Sequence, residues 1–383
     1  MNVRRLNPGE GVMSIDSNDP WVEIDASAFS HNAREASRLA GKRPLMAVIK
    51  NNAYGLGDEI VGPILDSSPE VGAIACARAA EAIAMRQAGV TKPILVMAEV
   101  SEDEGVNLVQ HQVWLSAWLD DAPERLARIG QRVGHQVPVH LFIDTGMGRE
   151  GMPDYRALPW LESLHQNPAV EIKGTYMTFA HEPGFGGEQL ARFTALVIRA
   201  QQSGIELGTL HAAPSYELFQ MPTAHLDMVR IGNVLFGNYP DAPGMRELAE
   251  LRPVFRLRAR VTRLERLRAG DSANFNRRYV AQRPTWIALL PIGHTDGYPS
   301  TAVNTCQVLI RDRLYPVVGT VSCAHTIVEI GDDRSIDVGD VATLIGPDAA
   351  AIDPQTVADK TGVRFLSIIT KLNSRLPRIV VNH

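Results

Sequence analysis

The sequence predicts an α/β fold in which an N-terminal (β/α)8 TIM barrel is followed by a mostly β C-terminal domain. At 383 residues the chain is too long for one ordinary hydrophobic core. Residues 21–245 alternate short apolar runs with longer amphipathic segments, whereas the sequence after Arg252 follows the two-residue period of half-exposed strands. We therefore expect a flexible N-terminal arm over residues 1–20, the barrel over 21–248 and the β domain over 249–383.

Eight apolar runs in the first segment are candidate strands. They cover residues 45–50, 73–76, 94–98, 113–118, 137–144, 172–180, 207–213 and 228–232. The segments between most of them carry apolar residues at helical spacing and end near glycine, as in 77–89, 122–134 and 188–204. Eight β/α units in a segment of this length favour a closed barrel over an open doubly wound sheet.

The second segment reads as a series of strands. Phe255, Leu257 and Ala259 alternate with arginines, which suits a strand with one buried face. Further apolar runs cover residues 286–292, 306–310, 314–321, 326–330 and 341–345 without intervening helices. One short helix is predicted over residues 353–361.

Composition narrows the class of protein. The chain is 45% hydrophobic and 21% charged with a net charge of −5, and its arginines are interspersed with acids, so we expect no nucleic-acid partner. No run of 18 apolar residues indicates a membrane span, and the first 19 residues lack the apolar core of a signal peptide. Three widely separated cysteines favour a reducing cytoplasm and predict no metal site.

Lys50 is the most informative single residue. It follows the apolar run 45–49 and opens a glycine-punctuated turn, at the mouth of the predicted barrel. Desolvation there lowers the pKa of an ammonium and makes the amine a nucleophile, as covalent attachment to an aldehyde cofactor requires. Asp144, Thr178, Ser215 and Arg230 also lie at or just beyond predicted strand ends, where TIM barrels carry their active sites.

The run around Lys50, AVIKNNAYGLG over residues 47–57, resembles the pyridoxal-phosphate lysine motif of the alanine racemase family. Six further segments resemble that family in the same order: WVEID (21–25), DTGMGR (144–149), HAAPS (211–215), RIGNVLFG (230–237), PIGHTDGY (291–298) and PR (377–378). The resemblance covers nearly the whole chain from Trp21 onward. It implies pyridoxal 5′-phosphate as the cofactor, a small amino acid as the substrate, and a homodimer with shared active sites.

The resemblance also implies roles for individual residues. Lys50 would carry the cofactor and act on the proton of the D-configured substrate. Arg149 would lie near the cofactor phenolate oxygen and the substrate carboxylate. The remaining cofactor-binding residues would be Tyr54 and Ser215 through their hydroxyls, Gly232 and Asn233 through backbone amides, Arg230 opposite the pyridine nitrogen, and His211 against Arg230.

Several positions depart from the family pattern. Phe275 stands where the family carries its second catalytic tyrosine, and Thr178 stands where a histidine supports that tyrosine. Phe142 replaces a lysine that many members carbamylate. Further replacements line the substrate pocket or the phosphate site: Cys323, Ala324 and His325 for a Met-Asp-Gln segment, His294 for a tyrosine, and Ser374 for a phosphate-contacting tyrosine.

These departures leave the reaction open. An isomerase like the amino-acid racemases, with an altered second acid/base, is the first expectation. Because imidazole titrates near neutral pH, His325 and His294 are the candidate catalytic replacements, with His181 as a further candidate. The alternatives are a one-base D-selective aldolase or retro-aldolase acting on β-hydroxy or α-substituted amino acids, a transferase, and a non-catalytic cofactor carrier. The sequence does not name the amino acid.

Overall fold

The computed structural model describes residues 18–241, 244–332 and 334–382, so most of the predicted N-terminal arm lies outside the described residues. Two compact units are present. The barrel unit comprises Ser30–Ala53 and Gly57–Leu251, and the β unit comprises residues 18–29, Tyr54–Leu56 and residues 252–382. Among the described helices, none is long and apolar enough to cross a bilayer.

The first described strand, β1 (Trp21–Asp25), belongs to the β unit. The strands that follow are β2 (Leu45–Val48), β3 (Val71–Cys76), β4 (Ile94–Val96), β5 (Val113–Ala117), β6 (Val137–Asp144), β7 (Met152–Pro153), β8 (Val170–Tyr176), β9 (Thr209–His211) and β10 (Val229–Ile231). Their order is β10-β2-β3-β4-β5-β6-β8-β9, with parallel pairing, and a bridge between His211 and Met228 brings the two ends of the sheet together. All eight predicted strands are present, which confirms the predicted barrel.

Helices alternate with these strands. They are α1 (Ala26–Leu39), a helical turn α2 (Lys50–Tyr54), α3 (Asp58–Asp66), α4 (Ala79–Gln87), α5 (Glu102–Gln110), α6 (Ala122–Val133), α7 (Ala157–His165), α8 (Gly186–Gln202), α9 (Ser215–Gln220) and α10 (Met245–Leu248). Short 3-10 helices cover Asp154–Arg156, Pro222–Ala224 and Asn233–Phe236. Their ends follow local chemistry. The Ser101 hydroxyl caps α5 in a capping box with Glu104, and Gly134 ends α6 in the left-handed conformation.

One glycine inside the barrel makes room for a histidine. A Cβ at Gly174 would lie 2.6 Å from the His140 ring and 2.6 Å from the Thr209 carbonyl oxygen. Any side chain at Gly174 would therefore displace the imidazole or the neighbouring strand. The buried residues Met46, Val48, Ala73, Ala75 and Leu95 form a separate apolar cluster of the barrel strands.

The β unit is built on a nine-stranded sheet. Its later strands are β11 (Phe255–Arg260), β12 (Arg263–Leu267), β13 (Ser272–Ala273), β14 (Tyr279–Val280), β15 (Thr285–Leu290), β16 (Gln307–Ile310), β17 (Arg313–Val318), β18 (Thr326–Gly331), β19 (Val341–Ile345) and β20 (Arg378–Val381). The sheet order is β12-β15-β18-β17-β16-β19-β11-β1-β20, while β13 and β14 pair separately. The predicted mostly β C-terminal domain is thus confirmed.

Two details differ from the sequence expectations. The sequence places residues 21–25 in the predicted barrel segment, but β1 pairs with β11 and β20, so that Val22 lies beside Leu257 and Arg378. From Trp21 onward, the chain therefore runs through the β unit, enters the barrel unit and returns to the β unit. The helix expected over 353–361 is α11 (Pro354–Thr361), and it is followed by a second helix, α12 (Phe365–Thr370). Short 3-10 helices of this unit cover Phe275–Arg277, His294–Asp296, Ser300–Ala302 and Ala350–Ile352.

Candidate active site

Lys50 follows the carboxyl end of β2 and opens a left-handed turn. The next four residues all have positive φ: Asn51 at 56°, Asn52 at 57°, Ala53 at 48° and Tyr54 at 53°. This conformation costs L-amino acids about 1–2 kcal/mol per residue, and asparagine tolerates it better than most residues. Backbone strain of this kind persists where the surrounding structure holds it, and functional sites are common places for it.

Glu81 supplies part of that support. Its carboxylate is buried and accepts hydrogen bonds from three backbone amides: Asn52 at 3.1 Å through Oε1, and Ala77 at 3.0 Å and Arg78 at 3.1 Å through Oε2. One side chain therefore joins the turn after Lys50 to the start of α4. The carboxylate therefore binds the backbone two residues beyond the lysine.

The surroundings of Lys50 favour its neutral amine. Burial is the largest cause that lowers the pKa of Lys50, and the positive charges of Arg149 and Arg230 act in the same direction. The carboxylates of Glu150 and Glu81 oppose this shift. The net effect is a lysine with a lowered pKa at the barrel mouth, which is the property required of a nucleophilic amine.

A buried hydrogen-bonded chain begins at Arg230. Its Nη1 donates to His211 Nδ1 at 2.9 Å and to the His211 carbonyl at 3.0 Å, and its Nη2 donates to the Met177 carbonyl at 2.7 Å. Nε2 of His211 lies 2.8 Å from Nδ1 of His140, whose ring stacks on Trp114. Arginine has no acceptor, so His211 must accept at Nδ1 and carry its proton on Nε2.

The charges along this chain follow from burial. Desolvation, helped by the charge of Arg230, lowers the pKa of His211 well below its ordinary value and that of His140 to about 3. Burial lowers the pKa of Arg230 to about 10, so the guanidinium stays protonated at neutral pH. The chain therefore holds one positive charge, on Arg230, and two neutral imidazoles.

Aromatic rings pack around the chain. Tyr176 stacks on His211 with ring centroids 4.9 Å apart and on Phe142 with centroids 4.5 Å apart, and its hydroxyl lies 2.9 Å from Ser116 Oγ. The Arg230 guanidinium lies 4.9 Å from the Tyr176 ring centroid. Phe142 thus fills its position with an apolar ring and offers no anion to a neighbouring arginine.

The loops after β9 and β10 carry hydroxyl and backbone-amide donors. The buried Ser215 starts α9, and its Oγ accepts the amide hydrogen of Gly232 at 3.2 Å. The hydroxyl proton of Ser215 is then available to a further acceptor. Asn233 starts the 3-10 helix that follows Gly232. TIM barrels frequently bind phosphate at the loops after their seventh and eighth strands, and β9 and β10 are those strands here.

Arg149 lies in a tight loop after β6. The Asp144 carboxylate accepts hydrogen bonds from the amides of residues 146–148 at 2.7–3.0 Å, which fixes the loop. Nε of Arg149 lies 3.3 Å from Oε2 of Glu150, and both side chains are partly exposed. Arg149 is thus presented on the same face of the barrel as Lys50, with a carboxylate beside it.

Thr178 and His181 lie in the segment after β8. Gln189 of α8 is fully buried and braces this segment, because it accepts from the Ala180 amide at 2.9 Å and donates to the Thr178 carbonyl at 3.4 Å. Nδ1 of His181 lies 3.1 Å from Oε1 of Glu217, a buried residue of α9. The carboxylate raises the pKa of His181.

Other predicted site residues lie in the β unit. The His294 amide donates to the Ser322 carbonyl at 2.9 Å, and the Thr295 amide donates to the Cys323 carbonyl at 3.2 Å. These bonds join the His294 turn to the segment of Cys323, Ala324 and His325, and all four of these side chains are exposed. The structure therefore brings together two of the segments that depart from the family pattern.

Phe275 belongs to the same region of the β unit. It is 66% exposed, and its neighbour Asn274 donates to the Thr320 carbonyl at 2.6 Å. Ser374 follows Asn373, whose amide donates to the Asp296 carbonyl at 3.3 Å. Tyr54, also assigned to this unit, is buried.

Sequence reasoning missed several residues of the site. Glu81, His140, Glu150 and Glu217 were not predicted, although some signals were present. His140 shares a strand face with Phe142 because the two are two positions apart. Glu81 is three residues beyond Arg78, the N-cap of α4, which is the position of a capping-box glutamate. Nothing local to Glu217 indicated its partner 36 residues away.

This donor set fits a phosphorylated aldehyde cofactor. Three kinds of group lie at the carboxyl ends of the barrel strands. They are the amine of Lys50, whose pKa is lowered, a hydroxyl and backbone amides after β9 and β10, and the buried guanidinium of Arg230. Phosphate binds to hydroxyl and amide donors of this kind, and an aldehyde bonds to a neutral amine.

Comparisons with known proteins agree with the fold and the motifs. Residues 24–240 match the N-terminal domain of alanine racemase, and residues 254–380 match its C-terminal domain. Alanine racemase of Symbiobacterium thermophilum is 34% identical over 374 residues, which cover 96% of this chain and 98% of the relative. Alanine racemase of Desulforamulus reducens is 31% identical over 369 residues, which cover 94% and 98%.

Solved structures are similar over the same length. Alanine racemase from Streptomyces coelicolor superposes with a TM-score of 0.84 at 27% identity, covering 95% of this chain and 98% of that one. The enzyme from Streptomyces lavendulae gives 0.85 at 26% identity, covering 96% and 98%. The chain therefore belongs to the alanine racemase family of pyridoxal-phosphate-dependent isomerases.

Proposed function

We propose that this protein is a racemase-type isomerase that moves the α-proton of a small amino acid, with Lys50 as one acid/base. The observation that carries the proposal is the lowered pKa of Lys50 at the carboxyl end of β2, supported by the left-handed turn and by Glu81. A neutral amine at that place can both hold an aldehyde and accept a proton.

The same residues define how the cofactor would be held. Ser215, Gly232 and Asn233 would bind the phosphate, together with the hydroxyl of Tyr54. Arg230 would face the pyridine nitrogen and, because it keeps its proton, leave that nitrogen unprotonated. His211 holds the guanidinium in place. When bound, pyridoxal phosphate withdraws electrons from the substrate α-carbon and makes its proton labile.

Covalent attachment at Lys50 is directly testable. The purified protein is expected to be yellow, and Lys50→Ala is expected to lose the visible absorbance. Lys92→Ala, which changes another partly buried lysine of the barrel, should keep it. Borohydride reduction followed by peptide mapping should find the pyridoxyl group on Lys50. The group on any other lysine would overturn the assignment.

The proposed function departs from the family pattern in its second acid/base. Racemisation needs a proton carrier on each face of the substrate, and Phe275 has no exchangeable proton. Histidines are the available replacements, with His294 and His325 in the β unit and His181 in the barrel unit. Arg149, Thr178, Cys323 and Ala324 would line the substrate pocket.

Unless one of these histidines takes the place of the missing tyrosine, alanine racemisation should be slow, because loss of a positioned acid/base typically costs about 10²–10⁴ in rate. Phe275→Tyr alone should restore little, since Thr178 supplies no supporting imidazole. Phe275→Tyr combined with Thr178→His should restore more. Interconversion of L- and D-alanine by the unmodified protein at the rate of ordinary family members would show that another group already serves the second face.

A one-base D-selective aldolase is the second candidate. It is favoured by the exposed cluster of His294, Cys323, Ala324 and His325, which replaces bulkier or acidic pocket residues with small side chains and imidazoles. A histidine would take the proton of a β-hydroxyl as the Cα–Cβ bond breaks, releasing an aldehyde, and the α-carbon would then be protonated. Aldehyde release from D- or L-serine, threonine or phenylserine supports this candidate, and α-deuterium exchange without aldehyde rejects it. A cofactor carrier would show neither.

We also propose that the working form is a homodimer in the cytoplasm. Phe275, an aromatic residue exposed in the single chain, lies in a segment that the family contributes to the active site of the partner chain. Such an interface should bury more than roughly 2,000 Å². Sedimentation is expected to give a dimer. A fully active monomer would contradict the shared site.

A further inference from the structure

An unassigned carboxylate–imidazole pair lies in the barrel unit. Nδ1 of His181 and Oε1 of Glu217 are 3.1 Å apart. The Glu217 side chain is only 5% exposed, and its second oxygen, Oε2, is buried without a hydrogen-bond partner among the described residues. A buried carboxylate is costly unless it is paired, so His181 is the partner that offsets the cost.

The pair leaves one imidazole nitrogen free. Because Glu217 accepts at Nδ1, the remaining nitrogen of His181 is Nε2, and the His181 side chain is 49% exposed. The ring also meets the edge of Tyr216, with centroids 5.5 Å apart. A carboxylate that holds Nδ1–H fixes the tautomer and orientation of an imidazole whose Nε2 can exchange protons.

The position of the pair in the barrel is also defined. His181 follows β8, the sixth barrel strand, and Lys50 follows β2, the first. In the circular strand order, four strands separate them on one side and two on the other, so their loops stand three strand positions apart around the barrel mouth. Gln189 braces the segment that carries His181, and Arg230 binds the Met177 carbonyl at its start.

The competing histidines lack such a partner. No carboxylate among the described residues lies within hydrogen-bond distance of the His294 or His325 ring, and both are exposed. The charged group that faces His181 is Glu217, and the charge of Glu217 also acts on Arg230. Among the three candidate histidines, only His181 therefore has a fixed tautomer.

We propose that His181, oriented by Glu217, is the acid/base that serves the substrate face opposite Lys50. This inference rests on the proposed function. In the D-to-L direction Lys50 takes the α-proton, and Nε2–H of His181 gives a proton to the electron pair left at the α-carbon. In the reverse direction Nε2 takes the proton and the Lys50 ammonium returns one, so each turnover leaves both groups ready for the opposite direction.

The test separates the two faces. Loaded enzyme in D₂O is incubated with D- or L-alanine, and initial α-deuterium incorporation into each isomer is measured by mass spectrometry. His181→Asn keeps a residue that tolerates the positive φ of this position. It is expected to lower incorporation from L-alanine about 10²–10⁴-fold, with incorporation from D-alanine and the visible absorbance retained. His165→Asn, on the exposed end of α7, is the matched control.

Each outcome has a defined meaning. If the unmodified protein exchanges neither isomer, the proposed function itself fails. If it exchanges D-alanine alone, or if His181→Asn leaves both exchanges unchanged, the inference about His181 is overturned while Lys50 chemistry stands. If His294→Asn or His325→Asn removes the L-alanine exchange and His181→Asn does not, the second face belongs to that residue.

A spectroscopic readout tests the pair without turnover. In protein labelled with ¹⁵N-histidine, the pKa of His181 should lie above the ordinary histidine value. Glu217→Gln should lower that pKa while the glutamine side chain still bonds the ring. In the exchange assay, Glu217→Gln should move the L-alanine pH profile to lower pH. An unchanged His181 titration in Glu217→Gln would overturn the role of the carboxylate.

Discussion

Replacement of Glu81 by alanine should destabilise both the fold and the turn after Lys50, the residue that would carry the cofactor. The carboxylate accepts three backbone hydrogen bonds, from Asn52, Ala77 and Arg78. Ala77 and Arg78 are partly or fully exposed, so their amides recover water, and their share is that of a lost helix cap, about 1 kcal/mol. The bond to Asn52 is charge-assisted and holds a strained turn, which adds roughly 1.5–3 kcal/mol.

The expected loss is therefore about 2.5–4 kcal/mol in the free energy of unfolding, measured by urea denaturation of cofactor-free protein. Affinity for pyridoxal phosphate, titrated by visible absorbance, should fall as the turn after Lys50 relaxes. Removing the Glu81 charge also removes a cause that raises the pKa of Lys50, so the pH dependence of attachment should move to lower pH.

A matched control separates the cap from the turn. Glu104 forms a capping box with Ser101 at the start of α5 but makes no contact with the Lys50 turn. Glu104→Ala should cost about 1 kcal/mol and leave cofactor affinity unchanged. If Glu81→Ala behaves in the same way as Glu104→Ala in both measurements, the carboxylate does not hold the turn and the reasoning is refuted.

Three further predictions concern the interior of the barrel and the pair at its mouth. Gly174→Ala should destabilise the protein by roughly 1–3 kcal/mol in urea unfolding, because the new Cβ would meet the His140 ring at 2.6 Å; an unchanged midpoint would contradict the packing described. The pKa of His140 is about 3 in the fold and about 6.5 in the unfolded chain. Between these two values the unfolded chain binds a proton that the folded protein does not, so the free energy of unfolding should fall as pH drops from about 6.5 to about 3. Urea unfolding of His140→Gln at several pH values should show a shallower decline. Glu217 raises the pKa of His181. The contribution of this pair to the free energy of unfolding should therefore be fully present below about pH 6.5 and disappear as pH rises through the pKa of His181 in the fold. Glu217→Gln should abolish this pH dependence.

The sequence predicted the barrel well because its signal is local. Eight apolar runs separated by amphipathic segments are enough to define parallel strands, and each run is present as a strand. The strand Trp21–Asp25 was assigned to the wrong segment because its partners, Leu257 and Arg378, are hundreds of residues away. Pairing at that distance leaves no trace in local periodicity.

The residues of the candidate site show the same difference between local and long-range signals. Lys50, Ser215 and Arg230 were found because they follow strand ends and lie in recognisable motifs. Glu81 and Glu217 were missed because their function comes from contacts across 29 and 36 residues, made after the barrel closes. Their own sequence neighbourhoods are those of ordinary helix residues, so three-dimensional structure was needed to assign them.

The arginine–histidine chain inside the barrel closes one route by which hydrogen isotopes could leave the site. Because Arg230 only donates, each hydrogen in the chain points away from it, and the last one lies on His140 Nε2, which is buried without a hydrogen-bond partner among the described residues. A chain with fixed polarity and no outlet cannot carry a proton to bulk water. A label taken from a substrate therefore cannot be diluted through this chain, and its exchange with solvent must take another path.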